Sequence, residues 1–360
     1  MIFVFPLFAY YKFTMGLPAT ITGQDMLLMT ISEIVIFLSV VFVNFVCWNS
    51  DEKNELLSVD IVGHGEHAKQ SHICFFKEFG AEVNDIFDPN TSDLEFFDIL
   101  TSCSDAVIIA SPDKFHPEQL LQLVNVGKHV LVEKPIFIDA PGKKLVEEAV
   151  EIAKQKNLVI LTCHPRRFDP PVGWLKNNIQ QCVVLHGKLV KFTFEFMYHK
   201  VTDLWKMDRS LLQDHLCHEI DLLNFFFGTQ SLKTCTKGYD SYFHYQVDGE
   251  LNDGTLFEFK GQRALNDNKY YEFIYLDFED GTRMNVNLND GILHGDFGGS
   301  CNTTNIPKKD YDVMFKAVNK NWFNSIYGIS EPYLTTEEMM FNQTVSSAVS
   351  EHGTWPLKVQ

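Results

Sequence analysis

Basic residues are scarce in this chain of 360 residues, which carries 30 lysines and arginines against 47 aspartates and glutamates. The formal net charge is -17 at pH 7, and the sequence contains no local basic patch. A surface of this sign repels the phosphate backbone of nucleic acids and anionic lipid headgroups. We therefore expect no nucleic acid among the partners of this protein.

Cysteine pairs at metal-binding spacing are missing as well. This argues against a zinc knuckle and against a scaffold held by many disulfides. A reducing compartment is the simplest location, so we expect a cytoplasmic protein. The eight cysteines are scattered, without a CxxC pair, at positions 47, 74, 103, 163, 182, 217, 235 and 301.

One long hydrophobic run departs from this pattern, within an amino-terminal extension covering residues 1–55. Residues 26–48, MLLMTISEIVIFLSVVFVNFVCW, are apolar apart from Glu33, Asn44 and a few hydroxyl side chains. A run of this length can cross a bilayer, but a carboxylate at mid-span costs about 2 to 3 kcal/mol. Three interpretations stay open: a membrane anchor that tethers the protein, a buried helix, or an upstream extension that is not part of a soluble protein.

A glycine-rich turn follows the first regular strand pattern. Its residues, Gly63-His64-Gly65-Glu66-His67-Ala68, lie between a strand-like run and a helix-like run. In a dinucleotide-binding fold, the first glycine makes the tight turn and the second lets the backbone approach the pyrophosphate. The third position needs only a small residue, such as Ala68. The pyrophosphate would then lie at the helix N-terminus, which favours anions.

An acidic residue ends the next strand-like run, as this fold requires. Asp88 stands 25 residues after Gly63. Its carboxylate can accept both hydroxyls of an adenosine ribose and would repel a 2′-phosphate, so NAD is favoured over NADP. The alternative is a solvated turn aspartate before Pro89.

Further strand-like runs alternate with segments of helical period. The runs cover residues 105–110, 130–132 and 158–162, and the alternation predicts a doubly wound parallel sheet. Ligands of such sheets lie beyond the carboxyl ends of the strands. Polar groups stand at those ends: Ser111-Pro112, Glu133-Lys134-Pro135 and residues 164–167, HPRR.

Several of these motifs together resemble the Gfo/Idh/MocA family of NAD(P)-dependent oxidoreductases. The resemblance implies a Rossmann domain over residues 56–170 and a C-terminal α+β domain over residues 171–360, built on an open, mostly antiparallel sheet. Strand-like runs with Asp-Gly turns in the second half agree with such a sheet. We expect a homo-oligomer formed through it. The motifs are the glycine turn, Asp88-Pro89, SPDKFHPEQ (111–119), GKHVLVEKP (127–135), PRRFDP (165–170) and DHLCHEIDLL (214–223).

A predicted helix places Asp214, His218 and Asp221 on one face, opposite an apolar stripe. A carboxylate one turn from a histidine can orient it and raise its pKa toward neutrality, as a general base needs. The spacing would also suit two metal ligands, but no third ligand is identifiable, and we predict no metal. The alternative is a capping aspartate and an ordinary helix histidine. The resembling family carries its catalytic Asp and His at this spacing.

The resemblance also gives Lys134 a role. The lysine of the E-K-P motif in this family contacts the substrate hydroxyl and the cofactor, and the following proline closes a tight, often cis, turn. Such an ammonium would stabilise negative charge on the substrate oxygen. The alternative is a surface pair of Glu133 with Lys134. The predicted sets are catalytic Lys134, Asp214 and His218; cofactor-binding Gly63, Gly65, Ala68, Asp88, Ser111, Pro112, His116, Glu133 and Lys134; and substrate-binding Arg166, Asp214 and His218.

One feature departs from the family pattern. Members commonly carry a glycine triplet before the Asp-to-His helix, whereas this chain reads WKMDRSLLQDHLCH.

The sequence as a whole is interpreted as an NAD-dependent dehydrogenase that transfers hydride between the nicotinamide and a sugar, cyclitol or related polyol. Three alternatives stay open: a non-catalytic nucleotide-binding regulatory or scaffold protein, a membrane-tethered assembly protein, and glycoside cleavage through transient oxidation.

Overall fold

Two β-sheets, each packed against helices, form the described part of the chain. The computed structural model describes residues 57–88, 95–198, 210–228, 231–264, 270–295 and 303–356. These residues belong to one compact unit, Leu57–Gln360. The hydrophobic run 26–48 and the segment of the missing glycine triplet up to Arg209 lie outside the described residues. Within the described ranges, the structure contains no helix long and apolar enough to cross a membrane.

The first sheet has five parallel strands in the order β2-β1-β3-β4-β5. Its central strands are continuous apolar runs because helices cover both faces. The strand order reverses between β1 and β3, and that point is where a doubly wound sheet opens a crevice for a ligand. The predicted doubly wound parallel sheet is confirmed. Its strands are β1 Leu57–Val62, β2 Ala81–Phe87, β3 Ala106–Ile109, β4 His129–Val132 and β5 Ile160–Thr162.

Short and long helices connect these strands. The predicted helix after the glycine turn is present; it ends at Ser71 and is followed by a 3-10 helix. The connections are α1 Glu66–Ser71, a 3-10 helix at Ile73–Phe79, α2 Phe96–Thr101, a 3-10 turn at Asp113–Phe115, α3 His116–Asn125, α4 Ala140–Lys156 and a 3-10 turn at Pro165–Phe168.

The second sheet has nine strands in the order β13-β12-β11-β10-β6-β9-β8-β7-β14. All neighbours are antiparallel except β6 and β9, which are parallel, so the predicted open, mostly antiparallel sheet is confirmed. The strands are β6 Leu189–Tyr198, β7 Leu232–Asp240, β8 His244–Leu251, β9 Leu256–Arg263, β10 Tyr271–Phe278, β11 Arg283–Asn287, β12 Ile292–His294, β13 Thr303–Asn305 and β14 Thr354–Trp355.

Four more helices follow β5 in the described ranges: α5 Pro170–His186, α6 Leu211–Phe227, α7 Tyr311–Ile326 and α8 Thr336–His352. Helix α7 packs Val318, Trp322 and Phe323 into the core of the first sheet. Helix α6 begins at Ser210, whose hydroxyl accepts from the Gln213 backbone N–H at 3.2 Å in a capping box. Its apolar stripe packs into a core rich in phenylalanine side chains from the second sheet. The opposite face of α6 is therefore directed toward the first sheet.

The strands of the first sheet precede residue 170 in sequence, and those of the second sheet follow it. The domain boundary at this residue stays a prediction.

A buried ion pair joins α6 to the first sheet. Asp221 is fully buried and accepts three hydrogen bonds of 2.8 to 3.0 Å from the Arg167 guanidinium, which follows β5. Asn342 of α8 also donates to Asp221 at 2.8 Å. The helical period placed Asp221 on the same face of the helix as Asp214 and His218, as part of a possible acid/base group. The structure corrects this prediction, because the Asp221 side chain forms a structural ion pair with Arg167.

Candidate active site

The glycine turn has the geometry that a dinucleotide needs. Gly63 has a φ of +95°, and a Cβ there would come within 2.6 Å of the Ala110 carbonyl. A Cβ on Gly65 would meet no atom within 4 Å, so open space lies over its backbone. Ala68 is buried under the turn. The turn thus combines a position that only glycine can fill with room for a pyrophosphate.

A cavity of about 680 Å³ lies at this turn, within the usual size range of ligand sites. Asp88 lies at its edge directly after β2 and accepts a hydrogen bond from the His64 backbone N–H at 2.8 Å. Ser111 and Pro112, beyond the end of β3, line the same cavity. The structure therefore brings five predicted cofactor residues together: Gly63, Gly65, Asp88, Ser111 and Pro112.

His116 holds two loops of the crevice together. Its ring is buried, with Nδ1 at 2.9 Å from the Pro135 carbonyl oxygen and Nε2 at 2.8 Å from that of Ser111. The Lys134–Pro135 peptide bond is cis, as the resemblance implied. Burial lowers the pKa of His116. The contacts show a positioning role, and direct cofactor contact by His116 stays a prediction.

Lys134 joins the two halves of the site. Its ammonium donates to the Asp214 carboxylate at 3.0 Å and to the Asp214 carbonyl at 2.8 Å. Burial lowers the pKa of Lys134, but the Asp214 carboxylate outweighs burial and the net pKa is raised. Arg263, at the end of β9, donates to the other Asp214 oxygen at 3.2 Å. Lys134 is therefore a fixed cation at the crevice, which excludes the surface pair with Glu133.

His218 lies one turn along α6 from Asp214 and is almost completely buried. Burial lowers the pKa of His218 well below its ordinary value, and the nearby Lys134 ammonium lowers it further. The direction is opposite to the predicted rise, because burial and the neighbouring cations disfavour the protonated imidazole. His164, after β5, packs edge-to-face on His218 with ring centroids 5.3 Å apart. The His218 imidazole is consequently neutral at neutral pH and able to accept a proton.

The family model described as "Oxidoreductase family, NAD-binding Rossmann fold" (GFO_IDH_MocA) matches residues 57–164, the range that contains the glycine turn, Asp88 and Lys134. The resemblance to the Gfo/Idh/MocA family is confirmed. Curated relatives of this chain include scyllo-inositol 2-dehydrogenase (NADP(+)) of Bacillus subtilis, 35% identical over 96 residues. That alignment covers 27% of each protein. Inositol 2-dehydrogenase of Rhizobium meliloti is 26% identical over 126 residues, 35% of this chain and 37% of the relative.

Alignments with the first relatives cover between 27% and 53% of their length, so this chain spans about a quarter to a half of the curated relatives it matches. Solved structures extend the likeness to the second sheet. Myo-inositol 2-dehydrogenase of Lactobacillus plantarum superposes with a TM-score of 0.66 and 16% identity, over 85% of this chain and 100% of that one. The structure of scyllo-inositol dehydrogenase of Lactobacillus casei, with NAD(H) and scyllo-inositol bound, gives 0.62 and 18%, over 82% and 96%. These likenesses show a shared fold.

Arg166, a predicted substrate-binding residue, forms a buried ion pair. The side chain is buried and pairs with Glu272 of β10 at 3.1 Å, and it also donates to the Tyr198 hydroxyl. Burial raises the pKa of Glu272, but Arg166 and Lys309 outweigh it and lower the pKa to about 2. These contacts give Arg166 a structural role in the second sheet. Substrate contact by Arg166 stays a prediction that the ion pair does not support.

Four residues of the site were not identified from the sequence. Arg263 is 49 residues from Asp214, and no local motif marks it. His164 stands just before PRRFDP and just beyond the end of β5. Its position beyond the carboxyl end of a strand is the sequence signal that could have identified it as a site residue. The remaining two, His67 and His72, each place Nε2 at 2.9 Å from the Glu133 carboxylate. Glu133 thus faces histidines, and its contact with the cofactor stays a prediction.

Proposed function

We propose that this protein is an NAD(P)-dependent oxidoreductase that transfers hydride between the nicotinamide and a hydroxyl group of a sugar, cyclitol or related polyol. The observation that carries the proposal is the contact of Lys134 with Asp214 at the edge of the glycine-turn crevice, with His218 one turn away. The relatives named as inositol dehydrogenases support this substrate class.

NAD is the cofactor that the site favours. The Asp88 carboxylate lies at the mouth of the cavity, where it can accept ribose hydroxyls and repel a 2′-phosphate. The names of relatives and solved structures include both NADP(+) and NAD(H). The proposed preference for NAD over NADP therefore rests on Asp88 and not on the names of the relatives.

Three side chains would divide the chemistry. When bound, the nicotinamide supplies the hydride acceptor. Lys134 stabilises negative charge on the substrate oxygen, because its ammonium is held in place before the substrate arrives. Asp214 orients that ammonium through two hydrogen bonds. His218, neutral because of its lowered pKa, takes the hydroxyl proton.

Two further properties belong to this proposal. A cytoplasmic location fits the free cysteines of the described ranges, Cys74, Cys103, Cys163, Cys182, Cys217 and Cys235. Self-association through the second sheet fits the aromatic row on β10, where Tyr271, Phe273 and Tyr275 are half-buried and stack in sequence.

A panel of sugars, cyclitols and other polyols with NAD(+) or NADP(+), monitored for reduced cofactor, tests the function. We expect turnover of at least one polyol by the native chain and strong loss in Lys134→Met. Lys143→Met serves as the matched control, because Lys143 is partly exposed on α4 and pairs with Glu147 at the surface. NADH binding without turnover of any polyol would favour the regulatory alternative instead.

A further inference from the structure

A buried cluster of two histidines and a carboxylate lies beside the crevice. His67 is on α1, His72 follows α1, and Glu133 follows β4. Both Nε2 atoms lie 2.9 Å from the same oxygen, Glu133 Oε1. The three ligand atoms stand within 4.8 Å of one another. The mechanism proposed above uses neither histidine.

The proton of His72 is placed by Asn319. The Asn319 amide nitrogen donates to the carbonyls of Ser71 and Phe315, both at 2.8 Å, so its oxygen must face the His72 ring. His72 Nδ1 therefore donates to Asn319 Oδ1, at 3.1 Å. In the neutral ring, Nε2 then carries a lone pair directed at the Glu133 carboxylate. Two acceptors at 2.9 Å repel each other unless a positive charge lies between or on them.

His67 is built in the same way. Its Nδ1 lies 3.2 Å from the Ser71 hydroxyl, which can accept a proton and leave Nε2 as a second lone-pair donor toward Glu133. A histidine that binds a metal usually donates a hydrogen bond through one ring nitrogen, while its other ring nitrogen points at the metal. The His67 side chain is 54% exposed, whereas that of His72 is 0% exposed. An ion can thus enter from the side of His67.

We propose that His67, His72 and Glu133 form a binding site for a divalent cation of the zinc class. Two imidazoles and one carboxylate are a zinc ligand set with a fourth, open position. Tetrahedral ligands at zinc distances stand about 3.3 Å apart, so each 2.9 Å contact must widen by about 0.4 Å. The exposed His67 ring can supply that movement at its own contact, and a small rotation of the Glu133 carboxylate would have to widen the contact with His72. The nearby Lys134 ammonium is already paired with Asp214, which limits its repulsion of the ion.

Titration of the metal-free full chain with zinc ion, by calorimetry, tests the site. We expect one saturable site per chain, and a visible absorption band of tetrahedral geometry when cobalt(II) replaces zinc. His67→Leu should weaken zinc binding about 100-fold, because a three-ligand site loses one ligand. His67 is exposed, so this variant should keep the fold, which circular dichroism will verify. His64→Leu is the matched control, since His64 lies in the same turn outside the cluster, and it should bind zinc like the native chain.

Three results would overturn the site. Native protein that binds no zinc would show that a proton on His72 satisfies Glu133 instead. Equal zinc affinity of His67→Leu and the native chain would place the ion elsewhere. Equal loss in His64→Leu and His67→Leu would indicate nonspecific binding by the histidines of the turn. All three measurements are made without substrate or NADH, so they stand apart from the oxidoreductase proposal.

Discussion

Lys134 donates to Asp214 twice, to the carboxylate at 3.0 Å and to the backbone carbonyl at 2.8 Å. The two residues are 80 positions apart: Lys134 follows β4 of the first sheet, and Asp214 lies on α6, which packs on the second sheet. The hydrogen bond to the carbonyl holds the ammonium against the backbone of α6. The carboxylate raises the pKa of Lys134 and so keeps the ammonium protonated. An oxyanion next to Lys134 would find the cation already oriented, and such preorganisation is what electrostatic catalysis requires.

Removal of this cation should separate chemistry from cofactor binding. In Lys134→Met, we expect turnover on an identified polyol to fall by about 10² or more, because an electrostatic stabiliser of the transition state is lost. The affinity for NADH should change little. Steady-state kinetics and fluorescence titration with NADH measure the two quantities, and Lys143→Met should behave as the native chain. Native turnover in Lys134→Met would contradict the proposed role.

The pH dependence should report on His218. Because its pKa is lowered well below 6.5, the imidazole is neutral at pH 7 and becomes protonated only at lower pH. Turnover of the native chain should therefore stay level through neutrality and decline in acid, below the usual titration range of histidine. His218→Asn should reduce turnover by about 10² or more and abolish the acid decline. An unchanged acid decline in this variant would assign it to another group.

Asp88 should set the choice of cofactor. Asp88→Ala removes an acceptor for the ribose hydroxyls and a charge that repels a 2′-phosphate, so NADH should bind more weakly and the preference over NADPH should narrow. Titrations with both reduced cofactors measure the ratio. Glu82→Ala removes an equal charge from an exposed position of the same strand, and it should leave the ratio unchanged. Equal native affinity for both cofactors would argue against this role of Asp88.

Arg166 should matter for stability rather than for substrate affinity. Arg166→Met leaves Glu272 buried without its arginine, and breaking a buried pair costs about 3 to 5 kcal/mol of the free energy of unfolding. Arg283→Met breaks the exposed pair with Asp277, which should cost less than about 1 kcal/mol. Urea unfolding of both variants makes the comparison. A raised KM with native stability in Arg166→Met would restore the substrate-binding prediction.

The sequence predicted those parts of the fold that depend on local patterns. Continuous apolar runs and the glycine turn are enough to place β1, β3 and β4, because buried parallel strands and a positive φ at Gly63 leave few alternatives. Helical period likewise placed Asp214 and His218 on one face of α6. These features depend on residues close in sequence.

The electrostatics of the site could not be predicted in this way. The sequence paired Asp214 with His218 because they are one turn apart, whereas Lys134 and Arg263 bind the carboxylate from distant strands. Burial of His218 and the cations around it, which are known only once the chain is packed, lower its pKa instead. The partners of Asp221 and Arg166, which are Arg167 and Glu272, could not be predicted for a similar reason, because they are known only once the sheets are packed.

The Arg167–Asp221 pair also constrains motion. Asp221 belongs to the helix that carries Asp214 and His218, and Arg167 follows the last strand of the first sheet. Because both side chains are buried, the helix cannot tilt away from that strand without exposing two separated charges at a cost of several kcal/mol. The buried ion pair thus keeps this part of α6 next to β5. Any opening of the crevice to admit a substrate should therefore leave the Arg167–Asp221 contact intact.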